Sequence, residues 1–400
     1  MTFMRLIPAV VIALLTASVP ARAETSQPFD EWLKGFRVEA AKAGITDGVL
    51  DQALGTVTPI PRVLELDRRQ PEFMLTLWRY MEIYVPDKRV EEGKALLKKH
   101  ARLLAEVEKK YGVPPRFLVA FWGVETDFGK NFGAFHMLSA VATLAHDARR
   151  ADFFKTQLLS AIRLVGLGDV PVGVKSSWAG AMGNMQFIPT TFEAYAVDFD
   201  GDGHRDLWNS LPDAFASAAN YLSRVGWNPE YTWGREVRLP KAFDLSLAGL
   251  QERKKLADWQ KLGVRKIGGG NLPAQDIEAS LLLPAGAEGP VFLVYGNFRT
   301  IMRWNTSQLY AVAVGHLADR FIGLPRLSVK KPVNAQMLRF DDISEMQRLL
   351  TKIGFDTGGV DGRAGPMTRK AIRDFQKSIN LPADAHPTFG LLERLRAAAN

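Results

Sequence analysis

The chain contains no cysteine. It therefore forms no disulfide, has no thiol nucleophile, and offers no cysteine to carry a lipid anchor. Beyond the first residues, no apolar run is long enough to cross a bilayer. No basic run interleaved with aromatics is present either, which argues against a nucleic-acid partner. What remains is ordinary globular material: 400 residues, 47% hydrophobic and 24% charged, enough for two or three domains with sizeable cores.

Residues 1–23 stand apart from the globule. Arg5 gives a positive start, Leu6 to Val19 an apolar core, and Ala21-Arg22-Ala23 a small-x-small cleavage site, the pattern of a secretory signal peptide. Its removal takes away Arg5 and Arg22 and no acid, so net charge falls from +8 to +6. The expected product is soluble, lies outside the cytoplasm, and has a surplus suited to an acidic wall polymer or membrane surface.

Along the chain, residues 26–110 read as amphipathic helices, punctuated by Pro59, Pro61 and Pro71. A helix opening at Pro114-Pro115 and closing at Gly129 follows. On it Leu118, Phe121, Glu125 and Phe128 share one face by their spacing, which sets a carboxylate into an apolar stripe. Burial raises a carboxyl pKa, as a general acid working near neutrality requires. The competing reading is a structural Glu125 paired with a buried arginine or capping a neighbouring helix.

Arg149-Arg150 beside Phe153-Phe154 reads either as a salt-bridged feature or as a bidentate clamp for a substrate carboxylate. Ser177-Trp178-Ala179-Gly180-Ala181-Met182-Gly183 with Gln186 suits either a close-packed junction or a polar, uncharged site in which Trp178 offers a flat face to a sugar. Asp198-Phe199-Asp200-Gly201-Asp202-Gly203-His204 repeats the start of an EF-hand loop, with acids at positions 1, 3 and 5. Position 12 is Asn209 in place of the usual Glu, and Asp213 closes a longer loop. The expected ion is a structural calcium, with a plain acidic turn as the alternative. Short strand-like runs occupy about 233–296, a small β subdomain inserted in a helical body. Residues 326–340 read as a linker and 341–400 as a compact helical binding module.

Taken together, Gly123-Val124-Glu125-Thr126, the Ser177 to Phe187 stretch, the acidic loop, Asn297-Phe298 and Arg303-Trp304-Asn305 resemble the lytic murein transglycosylase B family over about 30–325. Gly359-Val360-Asp361-Gly362 with Gly365-Pro366-Met367-Thr368 is similar to the three-helix peptidoglycan-binding domain. The resemblance implies an α+β, mainly α protein: a lysozyme-like helical catalytic domain over 24–325 with the β subdomain inserted, then the C-terminal module. It implies non-hydrolytic cleavage of the β-1,4 bond from N-acetylmuramic acid to N-acetylglucosamine in peptidoglycan, without a catalytic cofactor. Glu125 would be the single acid/base, and 1,6-anhydromuramic acid the product, formed with help from the N-acetyl group. By the same resemblance Ser177, Gln186, Arg149, Arg150, Tyr221, Asn297 and Asn305 contact substrate, and Asp198, Asp200, Asp202, His204 and Asp213 bind calcium. The loop to Asp213 is one residue longer than the family's best-known calcium loop. The missing lipobox cysteine points to a soluble periplasmic form, with glycan strands as the partner. A hydrolytic muramidase and a non-catalytic wall-binding protein are the rival readings.

Overall fold

The computed structural model describes residues 27–69, 75–332 and 338–400. The signal peptide at 1–23, Pro71 and part of the linker fall outside these residues. Six helices, Phe29–Lys42, Asp47–Leu54, Pro61–Arg69, Leu77–Tyr84, Asp87–Lys99 and Ala101–Tyr111, precede the one that carries Glu125. Gly112, at φ +73°, ends the sixth in the left-handed conformation that glycine adopts without strain. Pro115 then opens the Glu125 helix at its first position, where no N–H is required.

That helix, Pro115–Thr126, departs from the one-sided stripe read in the sequence. Every residue from Phe117 to Thr126 is buried, because the helix runs through the middle of the helical body. Helices Asp87–Lys99, Ala101–Tyr111 and Gln308–Phe321 pack around it. A helix that is apolar on all sides belongs in a core, and the periodicity of this segment is correspondingly weak. It also stops at Thr126, before Gly129. Asp127 and Phe128 both take positive φ, and Asp127 forms an ion pair with Arg89 at 3.0 Å. The turn brings the Phe128 ring back over Gly123, where a Cβ would lie 2.8 Å from it.

The inserted β subdomain is an antiparallel five-stranded sheet in the order Lys254–Lys255, Glu278–Leu282, Val291–Val294, Gly234–Arg238, Arg265–Lys266. Glu236 pairs with Phe292 and Leu282 with Phe292 on its other side. The alternation divides the sheet cleanly. Leu282, Phe292 and Val294 face the helical core, while Leu281, Leu293 and Val237 join Leu256 and Trp259 in a second core. The two-residue strand Lys254–Lys255 has no apolar signature and was not foreseen.

Beyond these apolar contacts, a polar cluster ties this subdomain to the helical body. The Trp233 indole lies flat on Gly315 of Gln308–Phe321, and its Nε1 donates to Asp319 Oδ2 at 3.0 Å. Arg235 pairs with the same carboxylate at 3.1 Å. Helices Phe340–Lys352, Pro366–Ser378 and Phe389–Ala399 form a third core around Met346, Ile372 and Leu392. They meet the β subdomain through Ala287 N–H donating to Asp384 at 2.8 Å and Arg373 donating to the Ala248 carbonyl at 3.1 Å.

A Cβ on Gly315 would lie 2.3 Å from the Trp233 ring, so Gly315→Ala forces the indole off its seat. The expected loss is about 1–3 kcal/mol of stability, read as a lowered melting temperature. An unchanged melt would show that the indole re-seats freely.

Candidate active site

Glu125 sits in the last turn of its helix, 1% exposed. Its Oε1 accepts from Trp304 Nε1 at 2.8 Å and from the Tyr310 hydroxyl. Its Oε2 has no partner in the protein. No arginine reaches it, so the structural ion-pair reading fails among the described residues. Burial pushes the carboxyl up to about 8, against the opposing pull of the Tyr310 and Trp304 hydrogen bonds. The Tyr310 phenol is itself pushed well above its ordinary value, chiefly by burial and then by Glu125. Oε1 is occupied by two donors, which leaves Oε2 as the oxygen free to carry a proton.

The two donors come from neighbouring helices. Trp304 ends Gly296–Trp304 and Tyr310 lies in the first turn of Gln308–Phe321. Between them Asn305 Oδ1 accepts from Ser307 N–H at 3.0 Å, and Ser307 Oγ caps the second helix at Tyr310 N–H, 3.3 Å. Phe121, one turn before Glu125, packs on the Trp304 ring at 4.5 Å between centroids. Phe187 and Tyr221 close the box around the same indole, each at 5.2 Å. Below, Asn184 accepts from Trp122 Nε1 at 2.8 Å and donates to the carbonyls of Leu207 and Trp208. The Asn184 carbonyl also takes the Thr126 hydroxyl at 3.0 Å, so the small-residue stretch is bolted to the helix end beside Glu125.

The other expected contacts divide by what their polar atoms already do. Gln186 is buried at φ +49°, its Nε2 donates to the Gly183 carbonyl at 3.1 Å, and its Oε1 has no partner. Ser177 Oγ accepts from the N–H groups of Ala179 and Ala181, stapling its own turn. The Tyr221 hydroxyl donates to the Arg303 carbonyl at 2.8 Å. Asn297 is fully buried, and its amide bonds the backbone of Asn228 and Tyr231, so it holds a turn and presents nothing to a cleft. Arg149 and Arg150 both grip buried Asp67, the salt-bridged alternative of the sequence reading. Trp178 is buried, 8% exposed. Tyr310 was not singled out from the sequence, and Trp304 only as part of a motif. Their partner lies 185 and 179 positions away, a separation that no local pattern encodes.

In the acidic loop, Asp198, Asp200 and Asp202 bring one carboxylate oxygen each within 4.8 Å of one another, at the surface. Gly201 and Gly203 N–H groups bond Asp198, and His204 N–H bonds Asp202 at 2.9 Å. Arg205 swings away to Asp169, leaving the three acids without a cationic side chain among them. This donor set suits a hard cation. Asp213 is employed elsewhere: fully buried, it accepts from the N–H groups of Phe199, Asp200 and Asp206.

The fold is a mainly helical body with a small inserted sheet, and one buried carboxyl lies at the centre of the site. The chain belongs to the transglycosylase SLT domain family, whose model matches residues 28–319, and it carries a peptidoglycan-binding domain matched over residues 340–395. It is 34% identical to membrane-bound lytic murein transglycosylase B of Escherichia coli over 60% of this chain and 66% of that protein. The structure of SltB3 from Pseudomonas aeruginosa in complex with NAG-NAM-pentapeptide is 48% identical, covers 93% of this chain and 100% of its own, and superimposes with a TM-score of 0.90. Slt35 of Escherichia coli, solved in complex with calcium, is 30% identical over 72% of this chain and 92% of its own, with a TM-score of 0.63. No helix of the described residues is long and apolar enough to cross a membrane.

The raised carboxyl pKa has a stability signature. Between pH 4.5 and about 8 the unfolded chain releases a proton that the folded chain keeps, so the Glu125 contribution is lost as pH rises through that window. Glu125→Gln removes the dependence. Its unfolding free energy, read from denaturant melts, is expected to gain on the parent's from pH 4.5 to about 8 and then level off, with a limiting slope of about 1.4 kcal/mol per pH unit. A constant difference across the window would mean the carboxyl titrates normally.

Proposed function

We propose that this enzyme cleaves the β-1,4 bond between N-acetylmuramic acid and N-acetylglucosamine non-hydrolytically, with Glu125 as its single acid/base. The observation that carries this reading is the division of labour within one carboxyl group. Oε1 is held by two donors, and Oε2 is buried and unpartnered with a pKa near 8. Burial alone would make the acid too weak to release its proton. Trp304 and Tyr310 stabilise the anion that remains and bring it back into the working range.

Oε2 gives its proton to the glycosidic oxygen as the C1–O bond breaks. The resulting carboxylate then takes the proton of the muramoyl C6 hydroxyl as O6 bonds to C1, closing the 1,6-anhydro ring and restoring the acid. An internal hydroxyl held near C1 outcompetes water through its effective concentration, of the order of 10⁵ M or more in well-oriented systems. Ordinary retaining and inverting glycosidases place a second carboxylate across the bond. Among the described residues the other buried carboxylates, Asp67, Asp213 and Asp319, are each engaged by arginine, backbone N–H or indole.

The acid triad Asp198, Asp200 and Asp202 would hold calcium as a structural ion, with no step of the chemistry passing through it. The same reading places the mature protein in the periplasm after removal of residues 1–23, acting on glycan strands. Two experiments test these proposals. Digestion of purified sacculi by the parent is expected to yield muropeptides one water lighter than a hydrolase would give, and Glu125→Gln is expected to lose at least about a hundredfold in rate. Hydrated reducing ends would establish a muramidase, and full activity in the variant would remove Glu125 from the chemistry. For the ion, chelator is expected to lower the parent's melting temperature and to leave that of Asp200→Ala unmoved. Identical parental melts with and without chelator would dismiss it.

A further inference from the structure

Among the described residues eight large apolar side chains are exposed, and three of them crowd one loop of the small C-terminal unit. Phe340, Val360 and Met367 are 49%, 50% and 46% exposed. The Phe340 ring lies against Gly362 and Met367 lies against Gly358, and Val360 falls between these two glycines in the chain. Isolated exposed apolar residues need no explanation, but a cluster marks a binding surface.

The loop that carries Val360, and against which Phe340 and Met367 lie from the starts of their helices, is held from beneath. Gln347 is buried, and its Nε2 donates to Asp361 Oδ1 at 2.7 Å, to Thr368 Oγ1 at 3.0 Å and to the Arg363 carbonyl at 3.1 Å. Its Oε1 accepts from the N–H groups of Asp361 and Gly362. Thr357 Oγ1 fixes the Gly359 carbonyl at 3.0 Å, and Asp356 takes the Gly358 N–H at 2.8 Å. Gly358, Gly359 and Gly362 all have positive φ, a backbone path closed to most residues. A loop so firmly pinned does not bury its apolar tip. The rigidity keeps the tip outward and lowers the entropy cost of capturing a ligand.

We propose that the Phe340–Val360–Met367 rim is where the C-terminal unit binds the glycan strand, one pyranose ring lying on Phe340 and its hydroxyls meeting the exposed backbone of residues 358–361. This rests on the reading that the unit binds peptidoglycan, and it selects the sugar chain over the peptide stem. Two observations favour that occupant. Three half-exposed side chains fall far short of the roughly 800 Å² per partner that a stable protein interface buries, while they match a sugar ring or two. A pyranose also has an apolar C–H face and polar edges, the pattern of an aromatic rim beside open peptide groups.

The test uses full-length protein carrying Glu125→Gln, so that sacculi persist, and compares pelleting of this parent with Phe340→Leu, Phe340→Trp and Met367→Gln added singly. Phe340→Leu and Met367→Gln are expected to weaken binding by about two- to tenfold, while Phe340→Trp, which keeps an aromatic face, binds like the parent. Peptide-free glycan strands are expected to displace the parent. Unchanged melting temperatures confirm the fold, and the two ends of the rim serve as independent variants should one unfold. Parental binding by both Phe340→Leu and Met367→Gln, or displacement by stem peptides alone, would overturn the assignment while leaving wall binding intact. Failure of the Glu125→Gln parent to pellet would overturn the wall-binding reading itself, and this proposal with it.

Discussion

A neutral carboxyl group in an apolar interior, with one oxygen fixed and the other left open, is the constraint to which this structure answers. Such a group is costly, because an unpartnered buried oxygen forgoes the hydrogen bonds that water would give. It persists because the two donors on Oε1 are placed by parts of the chain that have no freedom to withdraw them. Trp304 is boxed by Phe121, Phe187 and Tyr221. Tyr310 is set by a capped helix start.

The distant parts of the protein serve the same end. Helix Gln308–Phe321 carries Tyr310 at one end and Asp319 at the other. Trp233 and Arg235 of the β subdomain grip Asp319, and the indole locks onto Gly315 between. The inserted sheet therefore clamps the helix that holds the acid's donor. On the opposite side Asn184 couples the Glu125 helix to Leu207 and Trp208, which follow the acidic loop directly. An ion gathered by Asp198, Asp200 and Asp202 would stiffen that connection without approaching the reacting atoms.

Much of this was legible in the sequence, and the gaps have physical causes. Glu125 announced itself as an acid among apolar neighbours, and the inserted sheet showed as short strand-like runs over about 233–296. The Glu125 helix misled in one respect. Its apolar residues were assigned to a stripe, when burial on every side had removed the polar face that defines one. Arg149, Arg150 and Asn297 entered as substrate contacts through the family resemblance, and the sequence hides the partners that their polar atoms have in the structure. Asp67 stands more than eighty positions from the arginines that hold it, and Asn228 and Tyr231 more than sixty from Asn297. Trp304 and Tyr310 failed to stand out for the same reason.

That pattern of engaged and unengaged groups bears on the chemistry itself. A hydrolase of the two-carboxylate kind keeps a second acid ready to activate water or attack C1. Among the described residues the remaining buried carboxylates, Asp67, Asp213 and Asp319, are each engaged in holding helices and loops together. In the proposed mechanism the proton that leaves Glu125 returns to Glu125, since no second buried carboxylate among the described residues is left unengaged. An internal hydroxyl of the sugar completes that circuit with one group on the protein. In that proposal the fixed Oε1 is an advantage, because the same oxygen, Oε2, would serve both steps and the carboxyl would have no reason to turn.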